Sequence, residues 1–160
     1  MIRRDTPSLR WLSISLAFFF MILPMPDWML AMMPFLLALV MIFWVLETPQ
    51  KMSLSRVFII GVLLDIASLS TLGEHAFRLL IICGIVHQFR SQFRFYPIWQ
   101  QSVFIMLILY IDQIVFWLLN QLQDATSIGI ASLASPIFAL LLWPWLFMLL
   151  DNWRMQFRSH

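Results

Sequence analysis

The sequence predicts an all-α integral membrane protein, a bundle of six transmembrane helices forming a single domain over residues 1–160. Three observations predict it. Apolar residues make up 62% of the chain and charged residues 11%, against about 45–50% and 25% in soluble domains. A soluble chain this short leaves too much of its area outside to hide that many apolar side chains, so lipid is the solvent. Six apolar stretches are readable, and at about 20 residues each they use about 120 and leave about 40 for connections and tails. Finally, nine of the ten Lys and Arg residues fall on alternate connections.

The first helix covers about residues 9–23, with Trp11 near its start, and stops at Pro24-Met-Pro26-Asp27. Its Arg-rich prelude resembles a secretory leader, but no small-x-small cleavage site follows, so the reading is an uncleaved first helix. The second covers 28–46 with Pro34 inside it, tolerable where neighbouring helices satisfy the freed carbonyl. The third covers 57–72 and carries Asp65; the fourth, 76–89, is short and carries Arg78 and His87. The fifth covers about 101–119 and carries Asp112. The sixth covers 128–150, and Pro144 should kink it between Trp143 and Trp145. Trp11, Trp28, Trp44, Trp99, Trp117 and Trp153 sit near these helix ends, where an amphipathic indole suits the headgroup layer.

Orientation follows from the basic residues. Arg3, Arg4 and Arg10 precede helix one; Lys51 and Arg56 follow helix two; Arg90 and Arg94 follow helix four; Arg154 and Arg158 follow helix six. The other connections hold no Lys or Arg. By the positive-inside rule both termini are cytoplasmic. A net charge of +2 is too small for a nucleic-acid surface, and the single cysteine, Cys83, excludes a disulfide framework or cysteine-based zinc cluster. No cofactor is expected.

Asp65, Arg78 and Asp112 are expensive in lipid, at about 2.5–3.5 kcal/mol each on insertion scales. Asp65 lies roughly 12 Å below the turn at Gly73 and Arg78 roughly 6 Å below it, so an Asp65–Arg78 pair, direct or through water, is expected. Asp112 lies about as far from the outer end of its helix, which suggests that the two carboxylates share a depth. Structural polar contacts between helices three, four and five are one reading, and a proton or ion relay is another. Two intramembrane aspartates also suggest an aspartic membrane peptidase, but Asn120 and Asn152 are not placed to form the asparagine-containing motifs such enzymes need. His75 and His87 read as interfacial residues. There is no metal-ligand spacing of the His-x-x-x-His kind, no Ser/His/Asp arrangement and no phosphate-cradling glycine loop, so neither a metal site nor catalysis is indicated. Ala131, Ser135 and Ala139 recur every four residues on helix six, a ridge that permits close helix approach, either inside the bundle or against a partner.

The run Gly61-Val-Leu-Leu-Asp65-Ile-Ala-Ser68-Leu-Ser-Thr71-Leu72-Gly73-Glu-His-Ala76 resembles the signature of the MreD rod-shape-determining family, near its proteobacterial branch. Trp99-Gln-Gln101, Asp112-Gln-Ile-Val-Phe-Trp117, Leu142-Trp-Pro-Trp-Leu-Phe147 and the Pro24–Asp27 turn extend the resemblance over essentially the whole chain. Leu69 departs from it, since relatives often carry glycine there. The resemblance implies a non-enzymatic, multi-pass protein of the bacterial inner membrane, with a bundle similar to the S-components of energy-coupling-factor transporters. It implies association with MreC and, through MreC, with RodA and its penicillin-binding transpeptidase, with MreB on the cytoplasmic side. Gly61, Asp65 and Gly73 are the motif positions it marks for testing. The expected role is a scaffold for peptidoglycan synthesis and rod shape, with the Asp65–Arg78 region stiffening the helix three–four hairpin so that one face receives MreC. The alternative is a carrier of a small solute or lipid precursor that uses the buried Asp and Arg groups. A carrier requires a polar cavity of about 300 Å³ or more; a scaffold requires a packed interior and an apolar outer groove.

Overall fold

In the computed structural model every residue from Leu37 to Leu46 is buried, and three of the other helices pack against the helix that contains this segment. A helix apolar on all sides belongs in an interior. The structure describes residues 7–26, 29, 33–93, 95–121 and 134–156. Among them are six helices and no strand: α1 (Pro7–Ile22), α2 (Leu36–Glu47), α3 (Leu54–Ser68), α4 (Glu74–Phe93), α5 (Ile98–Gln121) and α6 (Ser135–Gln156). α5 and α6 are long and apolar enough to cross a membrane.

Several boundaries differ from those expected. α2 starts at Leu36 rather than at residue 28, because Pro34 has no N–H to donate and disfavours helical backbone just before it. The expected start itself, at Trp28, lies outside the described residues. α3 begins earlier and ends earlier than 57–72, since Leu69 takes the left-handed conformation (φ 54°) and stops it. α4 is longer than 76–89, at 20 residues and about 30 Å. Its polar end had obscured this, but Arg90 is used internally, donating from Nε to the Leu46 carbonyl at 3.0 Å. α5 begins directly after Pro97, whose carbonyl accepts the N–H of Gln100 and of Gln101. α6 runs past residue 150 to Gln156 and stays helical through Pro144. The start expected for it, at Ile128, lies outside the described residues.

α3 packs most extensively on α4, α5 on α6, and α2 on both α1 and α4, whereas α4 and α5 touch only briefly. At one end of the bundle the C-termini of α2, α4 and α6 meet the start of α5. There Arg154 pairs with Glu47, Arg90 meets the exposed carbonyl end of α2, and Gln101 Nε2 donates to the carbonyls of Phe93 and Tyr96. Cations at a helix C-terminus complement its dipole. Arginines from separate connections therefore gather at one end. Trp44 Nε1 donates to Ser13 Oγ at 2.8 Å, tying α1 to α2 and satisfying an indole that would otherwise be stranded in the core.

On α6, Pro136, Ala139, Trp143, Leu146 and Leu150 form the inward stripe. Ala139 is thus an internal contact, Ser135 is half-buried at the helix start, and Ala131 lies outside the described residues. The outer faces carry exposed large apolar side chains, among them Phe19, Ile59, Leu63, Ile111, Leu141 and Trp145. Apolar exposure on this scale suits hydrocarbon rather than water.

Candidate functional site: a carboxylate-capped hairpin and an arginine cage

The three motif residues Gly61, Asp65 and Gly73 converge on the turn between α3 and α4. Gly61 and Asp65 are one helical turn apart, so they share the face of α3 that meets α4. A Cβ on Gly61 would lie 2.3 Å from the Cα of Ala76, so glycine alone permits this approach. The closeness brings Asp65, fully buried, onto the first turn of α4.

Its carboxylate does what a local capping residue normally does. Oδ2 accepts the backbone N–H of Gly73 at 2.8 Å and of Ala76 at 3.4 Å, and Oδ1 accepts the N–H of His75 at 2.8 Å. The first amides of a helix have no partner within it and attract negative charge. Here the anion comes from the preceding helix. Ser70 Oγ donates to Oδ1 at 3.1 Å, and His75 Nδ1 lies 2.9 Å from the same oxygen, within hydrogen-bonding range. Gly73 sits at φ 99°, a conformation that favours glycine, which turns its N–H toward Asp65. Thr71 Oγ1 donates to the Glu74 carboxylate at 2.6 Å, so the local Thr-x-x-Glu pattern closes on itself and leaves the amides to Asp65.

The expected Asp65–Arg78 pair does not form. Asp65 is saturated by the hairpin's own backbone and His75, which lie nearer than a guanidinium one turn further along α4. Arg78 instead pairs with Asp112 on α5, with Nε 3.0 Å and Nη2 2.6 Å from Oδ2. The guanidinium also lies 5.2 Å from the centre of the Phe35 ring and 4.5 Å from that of Phe116. One half-buried charge is thus held by a carboxylate and two aromatic rings, contacts that suit the planar guanidinium. Asp65 and Asp112 consequently serve different neighbours.

His75 was expected at the interface; it is half-buried, against Asp65 and edge-on to Phe35 at 5.8 Å between ring centres. Ser70, His75 and Asp65 meet, but Ser70 and Asp65 both approach Nδ1. A nucleophile relay needs the hydroxyl and the carboxylate on different ring nitrogens, so this trio is built as a structural knot. The signal for it in the sequence was indirect: an aspartate one turn before the end of a helix, followed closely by a glycine turn and a new helix with no strong cap of its own.

Two concavities adjoin these elements. One, of about 370 Å³, opens between α4 and α5 beside Arg78 and Asp112. The other, of about 480 Å³, is an apolar groove between α1, the side chains of Met25, Met29 and Met33, and α6, floored by Leu36 and Val40 of α2.

The family model described as rod shape-determining protein MreD matches residues 3–153. The rod shape-determining protein MreD of Haemophilus influenzae is 28% identical over 156 residues, covering 95% of this chain and 96% of that protein. No solved structure matches the chain.

Proposed function

This chain belongs to the MreD family, and from that premise we propose that it is a non-enzymatic scaffold of the rod complex in the bacterial inner membrane. In this reading six helices cross the bilayer with both termini cytoplasmic. The end where Arg90 and Arg154 meet α2 is then the cytoplasmic end, in keeping with the positive-inside rule. The partner is the membrane helix of MreC, and through it RodA, its penicillin-binding transpeptidase and MreB, so that the protein supports peptidoglycan synthesis and rod shape. The Asp65-capped hairpin keeps α3 and α4 in fixed register behind the central α2.

The observation that carries this reading is the groove between α1 and α6. Leu16, Phe20, Met29, Met33, Trp145 and Leu149 line it, and its polar residue, Ser13, already bonds Trp44. Methionines adapt to the shape of whatever packs on them, and an apolar, aromatic-edged groove suits a helix from another chain. A photo-crosslinking residue at Leu16 or Trp145, in cells containing MreC, should capture MreC. The same residue at Ile59 or Leu63, exposed on α3, should not. The reverse pattern would place MreC elsewhere.

The α4–α5 cavity supports the second reading, a small-solute or lipid-precursor carrier, because it exceeds about 300 Å³ and holds charged groups. It lies at one edge of the bundle, while the centre is filled by α2. Solute retained by the purified protein and lost in Asp112→Asn would favour the carrier.

A further inference from the structure

We propose that the crevice between α4 and α5 binds the headgroup of a phosphoethanolamine lipid. The cavity of about 370 Å³ is lined by Thr71, Glu74, Phe77, Arg78, Asp112 and Phe116, among others. Asp112 engages Nε and Nη2 of Arg78, and Nη1 has no hydrogen-bond partner among the described residues. The side chain remains 18% exposed. With Phe35 and Phe116 beside the guanidinium and Asp112 along one edge, the accessible edge is the one toward the crevice. Donors left without an acceptor at membrane depth cost several kcal/mol each. The crevice therefore calls for an oxygen-bearing group, and a phosphate is the natural partner of a guanidinium.

Two further features narrow the ligand. Glu74 precedes Arg78 by one helical turn on the same face of α4, and its half-exposed carboxylate lies toward the hairpin turn. Beyond Arg78 the walls become apolar, with Ile81 and Val115 partly open to the surroundings. From the turn inward the crevice thus offers an anion, then a donor, then hydrocarbon. An ethanolamine phospholipid presents the complement in the same order: ammonium, phosphate, acyl chain. An anionic lipid such as phosphatidylglycerol would bring its charge near Glu74 and Asp112 with no ammonium to offset them. The placement in the outer leaflet rests on the orientation proposed above; the headgroup preference does not.

Native mass spectrometry of the full chain, released from nanodiscs containing equal amounts of phosphatidylethanolamine, phosphatidylcholine and phosphatidylglycerol, tests this. The expected result is preferential retention of phosphatidylethanolamine, by about fivefold or more. Glu74→Gln, a change at the crevice mouth, should abolish the preference over phosphatidylcholine, with the melting temperature as a check that the fold is kept. A large excess of inorganic phosphate should fail to displace the lipid, since phosphate supplies neither ammonium nor chain. Equal retention of the three lipids, a preference for phosphatidylglycerol, an unchanged preference in Glu74→Gln or displacement by phosphate alone would overturn the proposal. None of these outcomes bears on whether MreC occupies the α1–α6 groove.

Discussion

Asp65 on α3 accepts the backbone N–H of His75 on α4 at 2.8 Å, so a carboxylate from one helix caps the helix that follows it. Removing it leaves the amides of Gly73, His75 and Ala76, the last of them buried, without their acceptor at once. Asp65→Ala should destabilise the purified protein by about 2–4 kcal/mol, measured by denaturant unfolding in mild detergent. Insertion should be unaffected, because the loss lies in packing rather than hydrophobicity; the amount in the membrane fraction should match the parent. Weaker co-purification of MreC should accompany the loss.

Gly61 faces backbone, not a yielding side chain. Gly61→Ala should cost about 1–3 kcal/mol, read as a lowered melting temperature. Ala76→Gly should not rescue it, because the 2.3 Å contact is with the Ala76 Cα, which glycine retains. Gly84→Ala is the control: nothing lies within 4 Å of the added methyl, so it should be neutral or slightly stabilising.

Leu69 ends α3 in the left-handed region with its side chain 93% exposed. A non-glycine residue there costs about 1–2 kcal/mol, and little packing offsets it. Leu69→Gly should therefore raise stability by about 1 kcal/mol, measured by the same unfolding experiment. Glycine, which the resemblance leads one to expect at this place, would adopt this φ angle without strain.

Asp112 is buried and its mate Arg78 half-buried. Either Arg78→Met or Asp112→Leu alone should cost about 2–4 kcal/mol, by leaving the other charge without its partner. The double variant should recover most of that loss. A double-mutant cycle in detergent reads the coupling directly.

Much of this arrangement was legible from residue order. The apolar stretches located the helices, because burial in lipid leaves a composition signal that needs no tertiary knowledge. Of the basic residues whose alternation set the expected topology, Arg90 and Arg154 meet at the C-terminus of α2. The charges within the apolar stretches stood out in the sequence, but their partners did not. Depth along a helix says which groups can be level, and it cannot say which face each presents. Asp65 and Arg78 were compatible in depth, yet backbone amides, invisible in a side-chain inventory, claimed Asp65 first. Helix ends failed where polar residues are used internally, as at Arg90, and where a left-handed residue is not glycine, as at Leu69.

The capping of α4 by Asp65 is tested most directly by hydrogen–deuterium exchange in Asp65→Asn. The amide N–H groups of Gly73, His75 and Ala76 should exchange faster by on the order of tenfold or more, because Asn turns a donor toward donors. Protection across Leu37–Leu46 should hold. Unchanged exchange at residues 73–76, or a loss spread evenly over the bundle, would contradict a cap supplied from α3.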